Sequence, residues 1–284
     1  MKQVFLPLGA RGLLATPSGF LMDVAQSTYA YGVSRRNIVG TYTIAGMGGC
    51  GFCYDGTSYR TLSHPRARST SASGIDGSNI VGFYIEPTED KGEATHGYLY
   101  DGSSFTTLDN PQVPASQTTG TFPSSIEGSN IVGYCRDLTP PFVFGFLYDG
   151  NSFKKLQHPS ATGGTFANGI NRGDIVGAYF AADGLHGYVY DGSSYHNLDH
   201  PSGSETLASG ISDRNIAGSF RDANGYHGFL YDGSSFKTLD HPAANGGTFP
   251  LGIDGYNVVG YFIQDAGYHG FLYDGSSYQT LDFI

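Results

Sequence analysis

Histidine is the residue of this sequence that could do the most chemistry, because an imidazole can bind a proton, a metal ion or a hydrogen-bonding ligand near neutral pH. The 284 residues include nine histidines, and eight of them recur at two positions of a repeated pattern. Four stand directly before a Gly-aromatic pair, at His96, His186, His227 and His269. Four others stand directly after the last of the four strands predicted for each repeat, at His64, His158, His200 and His241.

Two roles fit the eight repeated histidines. Each imidazole could cap the neighbouring aspartate or an exposed strand edge, which would make it architectural. Alternatively, the imidazoles could line a sugar-binding surface with Arg136, Arg221 and nearby tyrosine and phenylalanine rings. Facing histidines could also hold a metal ion, but no His-Glu-x-x-His or comparable ligand spacing is present. The sequence therefore predicts no metal site and no cofactor.

The histidines belong to a unit that the chain repeats six times. A Gly-aromatic-x-Tyr-Asp-Gly motif marks each copy, as at residues 228–233, and an Asn-Ile-Val-Gly type of motif precedes it, as at residues 37–40. A threonine stands nine residues before each of these second motifs, and successive threonines are 42, 51, 44, 41 and 42 residues apart. A fixed order with variable spacing indicates one structural unit whose loops differ in length.

Each unit is predicted to form four antiparallel strands, which we name a, b, c and d in chain order. The segments are short, rich in aromatic or β-branched residues, and bounded by Gly, Asn, Asp or Pro. Both faces of these strands carry large side chains and need cover, and about forty residues per four strands is typical of a β-propeller blade. We therefore predict an all-β fold, a six-bladed β-propeller with four antiparallel strands per blade and strand a nearest the axis.

Strand direction then divides the loops between two faces. The a–b and c–d loops share one end of each blade, and the b–c and d–a loops share the other. The Asp-Gly pair between strands c and d, as at Asp232, predicts a type I′ hairpin turn with positive φ at both central residues. The eight repeated histidines are expected on the opposite face, with the b–c and d–a loops, which is the predicted binding face.

The order of motifs in residues 228–262 (GFLYDGSSFKTLDHPAANGGTFPLGIDGYNVVGYF) resembles the bacterial HAF-type extracellular repeats. That family alternates a G-F-L-x-D segment, a T-x-x-D-x-P segment and a G-I-N-x-x-G-x-I-V-G segment. The resemblance covers roughly residues 19–284, a length consistent with several stacked repeats. It implies a propeller-like fold and a secreted or cell-surface location, and it supplies no reaction and no catalytic residues.

Composition indicates one domain over residues 1–284, with six repeats from about residue 26. Residues 1–25 show no clear signal peptide and are expected to close or cover the ring, with residues 19–23 as an extra strand.

The formal charge of −10 argues against nucleic-acid and anionic-membrane partners, and no apolar run is long enough for a membrane span. Cys50 and Cys53 point to opposite faces of a predicted strand, so no disulfide is expected between them.

Two classes of function fit this pattern. The first is a lectin-like module that binds a carbohydrate or another small polar ligand on the predicted binding face, in several equivalent pockets. The second is a polysaccharide lyase or glycoside hydrolase with one site at the channel mouth, where a histidine is the base, a tyrosine the acid, and Arg136 or Arg221 binds a uronate. Recurrence of the same polar groups favours the binding module, and no catalytic residue is assigned.

Overall fold

The computed structural model describes residues 26–44, 48–90, 92–140 and 142–283. In these ranges the chain forms strands, turns and bends, and none of it is helical. The predicted all-β class is therefore confirmed. The extra strand expected at residues 19–23 lies outside the described residues.

The strands follow one another in sets of four, which match strands a to d of successive repeats. They are β1 (Ser27–Ser34), β2 (Asn37–Thr43), β3 (Gly49–Tyr54), β4 (Tyr59–Leu62), β5 (Ser69–Asp76), β6 (Asn79–Pro87), β7 (Glu93–Tyr100), β8 (Phe105–Thr107), β9 (Gly120–Glu127), β10 (Asn130–Arg136), β11 (Val143–Tyr148), β12 (Phe153–Leu156), β13 (Gly164–Asn171), β14 (Asp174–Phe180), β15 (Leu185–Tyr190), β16 (Tyr195–Asn197), β17 (Glu205–Ser212), β18 (Asn215–Asp222), β19 (Gly225–Tyr231), β20 (Phe236–Thr238), β21 (Gly247–Asp254), β22 (Asn257–Gln264), β23 (Gly267–Tyr273) and β24 (Tyr278–Thr280). Within each set, neighbouring strands pair antiparallel in the order a, b, c, d.

The first and last sets of strands in the described chain belong to the same sheet. Four sets of strands are separate four-stranded sheets, whereas the first and last sets join in one eight-stranded sheet. A single parallel pair, Ser27 with Tyr268, makes that junction between β1 and β23. The backbone N–H of Phe283 also donates a hydrogen bond to Thr28 Oγ1, at 3.1 Å. The first and last repeats therefore lie side by side.

Hydrogen bonds join the a–b turns of successive repeats into a closed ring. In each bond, a backbone N–H of the turn donates to a side-chain oxygen of the residue that ends strand a in the preceding repeat. The bonds are Gly77 to Ser34 (3.3 Å), Gly128 to Asp76 (2.8 Å), Arg172 to Glu127 (2.6 Å), Asp213 to Asn171 (2.8 Å), Gly255 to Ser212 (3.0 Å) and Arg35 to Asp254 (2.5 Å). Because the last bond returns to the first repeat, the sheets surround a central axis.

Strand a is the strand next to this axis, as predicted. Each strand a contains a β-bulge, and its bulged residue belongs to what we call the axial ring: Tyr31, Ser73, Ser124, Asn168, Ser209 and Leu251. Beside the bulge, a Cβ added at Gly32 would lie 3.0 Å from Gly74 Cα, and one added at Gly252 would lie 3.2 Å from Gly32 Cα. Glycine therefore lets the innermost strands approach one another closely.

The hydrophobic core lies between neighbouring sheets. Val39 from β2 packs in one buried cluster with Ile75 and Tyr84 of the following repeat. Within a sheet, a Cβ at Gly40 would lie 2.7 Å from the ring of Phe52, so this ring packs directly on the strand b backbone. Both faces of the strands are covered in this way, which explains why their apolar residues do not alternate with polar ones.

The Asp-Gly motif does not form the predicted type I′ turn. Asp232 begins a four-residue loop in which only Gly233 has a positive φ, of 95°. Asp232 Oδ1 accepts the backbone N–H groups of Ser235 and Ser234, each at 2.8 Å. These bonds stabilise the charged carboxylate and hold the pKa of Asp232 well below its usual value. The two-residue turns lie instead between strands a and b.

Candidate functional site

The two sets of histidines meet in stacks at the ends of strands b, on the predicted face. In the last repeat, the ring centroid of Phe262 lies 3.7 Å from that of His241 and 5.3 Å from that of His269. The same arrangement joins His64 and His96 to Tyr84, His158 and His186 to Tyr179, and His200 and His227 to Phe220. The prediction that these eight histidines gather at one end of the sheets is confirmed.

The histidines of the d–a loops are buried, with exposed fractions of 4–8%: His64, His158, His200 and His241. In the last repeat, the backbone N–H of His241 donates to Thr248 Oγ1 at 2.9 Å, and its Nδ1 accepts the N–H of Ala243 at 3.2 Å. Burial lowers the pKa of all four imidazoles. These four imidazoles cap and fill the blades, and their burial leaves a ligand almost no surface, so their role in ligand binding stays a prediction that the packing does not favour.

The histidines of strands c are partly exposed and are each held by an aspartate. His227 Nδ1 lies 2.8 Å from Asp240 Oδ2, and the other oxygen of Asp240 accepts the N–H of Gly228 at 3.1 Å. The same pairing joins His96 to Asp109 (2.7 Å), His186 to Asp199 (3.1 Å) and His269 to Asp282 (2.9 Å). Asp109, Asp199 and Asp240 each also accept the N–H of the glycine after the histidine, so they fix the imidazole and strand c together.

Histidine and aspartate occur together in the repeats. Where Cys50 and Phe144 replace the strand c histidine, Ser63 and Gln157 stand at the aspartate position. The hydrogen bond that Asp240 accepts from the His227 imidazole raises the pKa of His227 against the opposing effect of burial. Asp240 therefore favours the charged imidazolium at His227, which suits a surface ion pair better than a ligand-binding base.

The two predicted arginines lie at different places. The Arg136 guanidinium carbon lies 5.4 Å from the centroid of the Phe122 ring. Arg221 lies at the same distance from the Tyr226 ring and 3.5 Å from a carboxylate oxygen of Glu205. Because Phe122 lines the axial cavity described next and Tyr226 does not, Arg136 alone of the two adjoins that cavity.

A cavity of about 540 Å³ opens around the axis, and we call it the channel cavity. Its wall includes the rings of Phe122, Tyr134 and Phe166. Phe122 and Tyr134 are stacked with centroids 4.9 Å apart, and Phe166 meets Tyr134 edge-on at 5.1 Å. Phe180 and Leu185, which flank a b–c loop, also line it, so the cavity opens on the predicted binding face.

Sequence reasoning did not select the residues of this cavity, although the repeat contains a signal for them. Phe122, Phe166 and Leu207 each directly follow the repeat threonine, which is itself buried. Since successive side chains of a strand point to opposite sides, the residue after the threonine faces the axis. Ser71 holds the same position in the second repeat and also lines the cavity.

No lysine, arginine, histidine, aspartate or glutamate of the described residues lines the channel cavity. Its polar groups are serine hydroxyls, the Asn168 amide and the phenols of Tyr31 and Tyr134. Burial raises the pKa of both tyrosines, so these phenols stay protonated and uncharged. The cavity therefore offers aromatic rings together with uncharged hydrogen-bonding groups.

The cysteines supply no further chemistry. Cys50, Cys53 and Cys135 are all free thiols, which confirms the prediction that the first two do not form a disulfide. Burial raises the pKa of Cys135 to about 12, so it is an unreactive thiol.

Comparison with known proteins shows the fold. No family model and no curated protein matches this sequence. Solved structures do match: SapL1 lectin, solved in complex with alpha-methyl fucoside, is 11% identical with a TM-score of 0.60, over 92% of this chain and 97% of that one. The fold is a β-propeller.

Two other structures agree with this assignment. Aleuria aurantia lectin, a fungal lectin described as a six-bladed β-propeller with a novel mode of fucose recognition, is 12% identical with a TM-score of 0.55, over 91% of this chain and 96% of that one. The β-propeller domain of the Trilobed protease from Pyrococcus furiosus is 11% identical with a TM-score of 0.57, over 90% and 96%. Separately, no helix in the described part of the chain has the length and apolar character needed to cross a bilayer.

Proposed function

We propose that this protein is a six-bladed, lectin-like β-propeller that binds a carbohydrate in the channel cavity. The observation that carries the proposal is the cavity's combination of packed aromatic rings with uncharged hydrogen-bonding groups. A sugar has C–H groups on its ring faces and hydroxyls around its edge, so it can pack on phenyl rings while its hydroxyls bond to serines. The likeness of the fold to two lectins supports this function at a coarse level.

The blade number is inferred from the contacts between repeats. Each repeat contributes one bond to the ring of a–b turns and one residue to the axial ring. The bond from Arg35 to Asp254 joins the first repeat to the last and closes the ring of a–b turns. We therefore regard the eight-stranded sheet as two blades whose strands pair at one position only among the described residues, with each repeat forming one contiguous blade of a single domain.

We propose one carbohydrate site per chain. The recurrence of histidine favoured several equivalent pockets, but the d–a histidines are used inside the blades. The channel cavity lies on the axis, where each repeat contributes a different residue, such as Ser124, Asn168 and Leu251. One asymmetric site can select a ligand, whereas identical surface sites would gain strength only through multivalency.

The alternative function, a carbohydrate-active enzyme at the channel mouth, has less support. Most glycoside hydrolases act with two carboxylates on either side of the scissile bond. Within the described residues, no aspartate or glutamate lines the channel cavity. Arg136 adjoins it as a candidate partner for a uronate, but no histidine of the described ranges lines the cavity as a base. The secreted or cell-surface location rests on the HAF-type resemblance and stays a proposal.

A glycan array followed by calorimetry tests the proposed function. We expect a hit that binds one site per chain, and we expect Phe122→Ala to weaken binding because it removes a ring from the cavity wall. Tyr256→Ala is the matched control, since Tyr256 is 80% exposed on an a–b turn at the opposite face. Several equivalent sites, or equal binding by the Phe122 variant, would contradict the proposal.

A further inference from the structure

We infer that the channel cavity selects an uncharged, terminal sugar residue, which enters along the axis and bonds to the axial ring. This inference rests on the proposed function and deepens it, because it names the class of ligand and the residues that select it. It depends on the depth of the cavity, on its hydrogen-bonding groups and on its lack of charge.

The depth of the cavity limits the ligand to the end of a chain. On the a–b side of the axial ring, the described residues leave a chamber of about 50 Å³, lined by residues such as Gly32, Gly74 and Gly252. A water molecule occupies about 30 Å³ in the liquid, so this chamber is too small for a sugar residue. A glycan can therefore enter only as far as the axial ring, and it must present a terminal residue there.

The axial ring has hydrogen-bonding capacity that the folded chain does not use. Ser209 is 5% exposed, and its Oγ has no hydrogen-bond partner among the described residues. Asn168 uses its amide Nδ2 to donate to Ala208 O at 2.9 Å, and the residue also lines the channel cavity. A buried hydroxyl without a partner is destabilising, and a ligand hydroxyl could satisfy it after rotation about the serine Cα–Cβ bond.

The ring is polar on one arc and largely apolar on the other. Ser73, Ser124, Asn168 and Ser209 come from four consecutive repeats, whereas Leu251 comes from the last. Tyr31 completes the ring beside Leu251 and adds an aromatic ring with one phenol hydroxyl. A sugar residue with hydroxyls along one edge and an apolar edge opposite fits this division.

Among the described residues, no charged side chain lines the cavity. An acidic terminal sugar would therefore bind poorly at the bottom of the cavity. A carboxylate or sulfate that moved from water to the axial ring would lose hydration without meeting a cation. Arg136 is exposed and lies over the Phe122 side chain, outside the axial ring. Its guanidinium therefore does not neutralise a negative charge at the axial ring. Neutral termini should therefore bind more tightly than their acidic counterparts.

The test uses the full chain and a glycan array that contains neutral, uronic, sialylated and sulfated termini. We expect hits only among neutral termini, and we expect a terminal hexose to bind more tightly than the matching hexuronic acid. Ser209→Ala should weaken binding of the strongest hit about tenfold, the ratio that corresponds to one hydrogen bond. The same variant should raise the Tm of the free protein, because it removes a buried hydroxyl that has no partner.

A purely structural serine would give a lower Tm, so the opposite signs of the two effects distinguish the roles. Ser124→Ala provides a second test on the same arc, and Ser129→Ala, on an exposed a–b turn, is the control that should change neither quantity. Hits restricted to acidic termini, or unchanged affinity in both ring variants, would overturn the inference while leaving carbohydrate binding intact. Binding of no glycan at all would instead refute the proposed function, and the inference with it.

Discussion

The repeated histidines show how one residue type can hold two structural roles in a single blade. The d–a histidine is buried and neutral, and its ring packs on an aromatic residue of strand b. The strand c histidine stacks on the same aromatic residue but is partly exposed, and it pairs with an aspartate. Their difference in environment shifts the pKa in opposite directions, down for His241 and up for His227. Recurrence of a titratable residue is therefore weak evidence for a ligand site.

The buried histidines should make the fold sensitive to acid. The pKa of His241 is lowered by burial, whereas the unfolded value is about 6.5. Between these two values the unfolded chain binds more protons, so stability falls as pH falls through that window. In the wild type, Tm should fall as the pH is lowered from about 7.5 to about 5, and we expect this fall to be smaller in His241→Phe. Phe283 already holds the equivalent position and stacks on Tyr42 at 3.8 Å, so the ring should fit.

Thermal melts across this pH range provide the measurement. Tyr256→Ala is the control, because Tyr256 lies exposed on an a–b turn, and the Tm of this variant should vary with pH as in the wild type. An equal loss of Tm in the His241 variant would show that this histidine is not a source of acid sensitivity.

The loops at the two ends of the blades are stabilised by different interactions. At the histidine end, side chains from strands b, c and d stack and pair to hold the connections. At the other end, the c–d loop is closed by its own aspartate, and the a–b turns bond to one another between repeats. The Asp-Gly sequence was expected to act through backbone conformation, yet the aspartate acts mainly as a hydrogen-bond acceptor. Local sequence therefore predicted a turn but not its type.

Replacement of the loop aspartate should change stability without changing ligand binding. Asp232→Ala removes the acceptor of two backbone N–H groups, so we expect a lower Tm and an unchanged glycan affinity. Asp232→Asn is the control, because its amide oxygen can still accept both bonds. The lowered pKa of Asp232 means that its contribution is present above the unfolded value of about 3.9 and is lost as pH falls below it. A loss of binding in the alanine variant would indicate that the ligand binds at the face of the c–d loops, contrary to our assignment.

At the scale of the whole molecule, the ring depends on the contact between its last and first repeats. Every other pair of neighbouring repeats is also connected by a d–a loop of the described chain. At the closing seam, the described contacts include the pair of Ser27 with Tyr268, the bonds of Phe283 to Thr28 and of Arg35 to Asp254, and packing such as that of Val259 against the first repeat. This seam is therefore the place where the ring should open most readily.

Loss of the closing hydrogen bond should destabilise the ring more than loss of an equivalent bond elsewhere. Asp254→Ala removes the bond to Arg35, and Asp76→Ala removes the matching bond to Gly128 at a seam that a loop also spans. We expect a cost of about 1 kcal/mol for Asp254→Ala and a smaller one for Asp76→Ala.

Chemical denaturation measures both costs, and hydrogen exchange should show faster opening of β1 and β23 only in the Asp254 variant. Equal costs and equal exchange in the two variants would indicate that the closing seam is no weaker than the others.

The sequence by itself determined the repeat, the order of its four strands, the position of strand a and the face on which the histidines lie. These features follow from periodic spacing and from the alternating direction of an antiparallel sheet, which are properties of one unit. Only the tertiary structure decided the use of the site residues. Whether His241 is buried depends on Phe262 and neighbouring packing, and the channel cavity combines Phe122, Tyr134 and Phe166 from two repeats. No single copy of the repeat contains that cavity, because it exists only where the repeats surround a common axis.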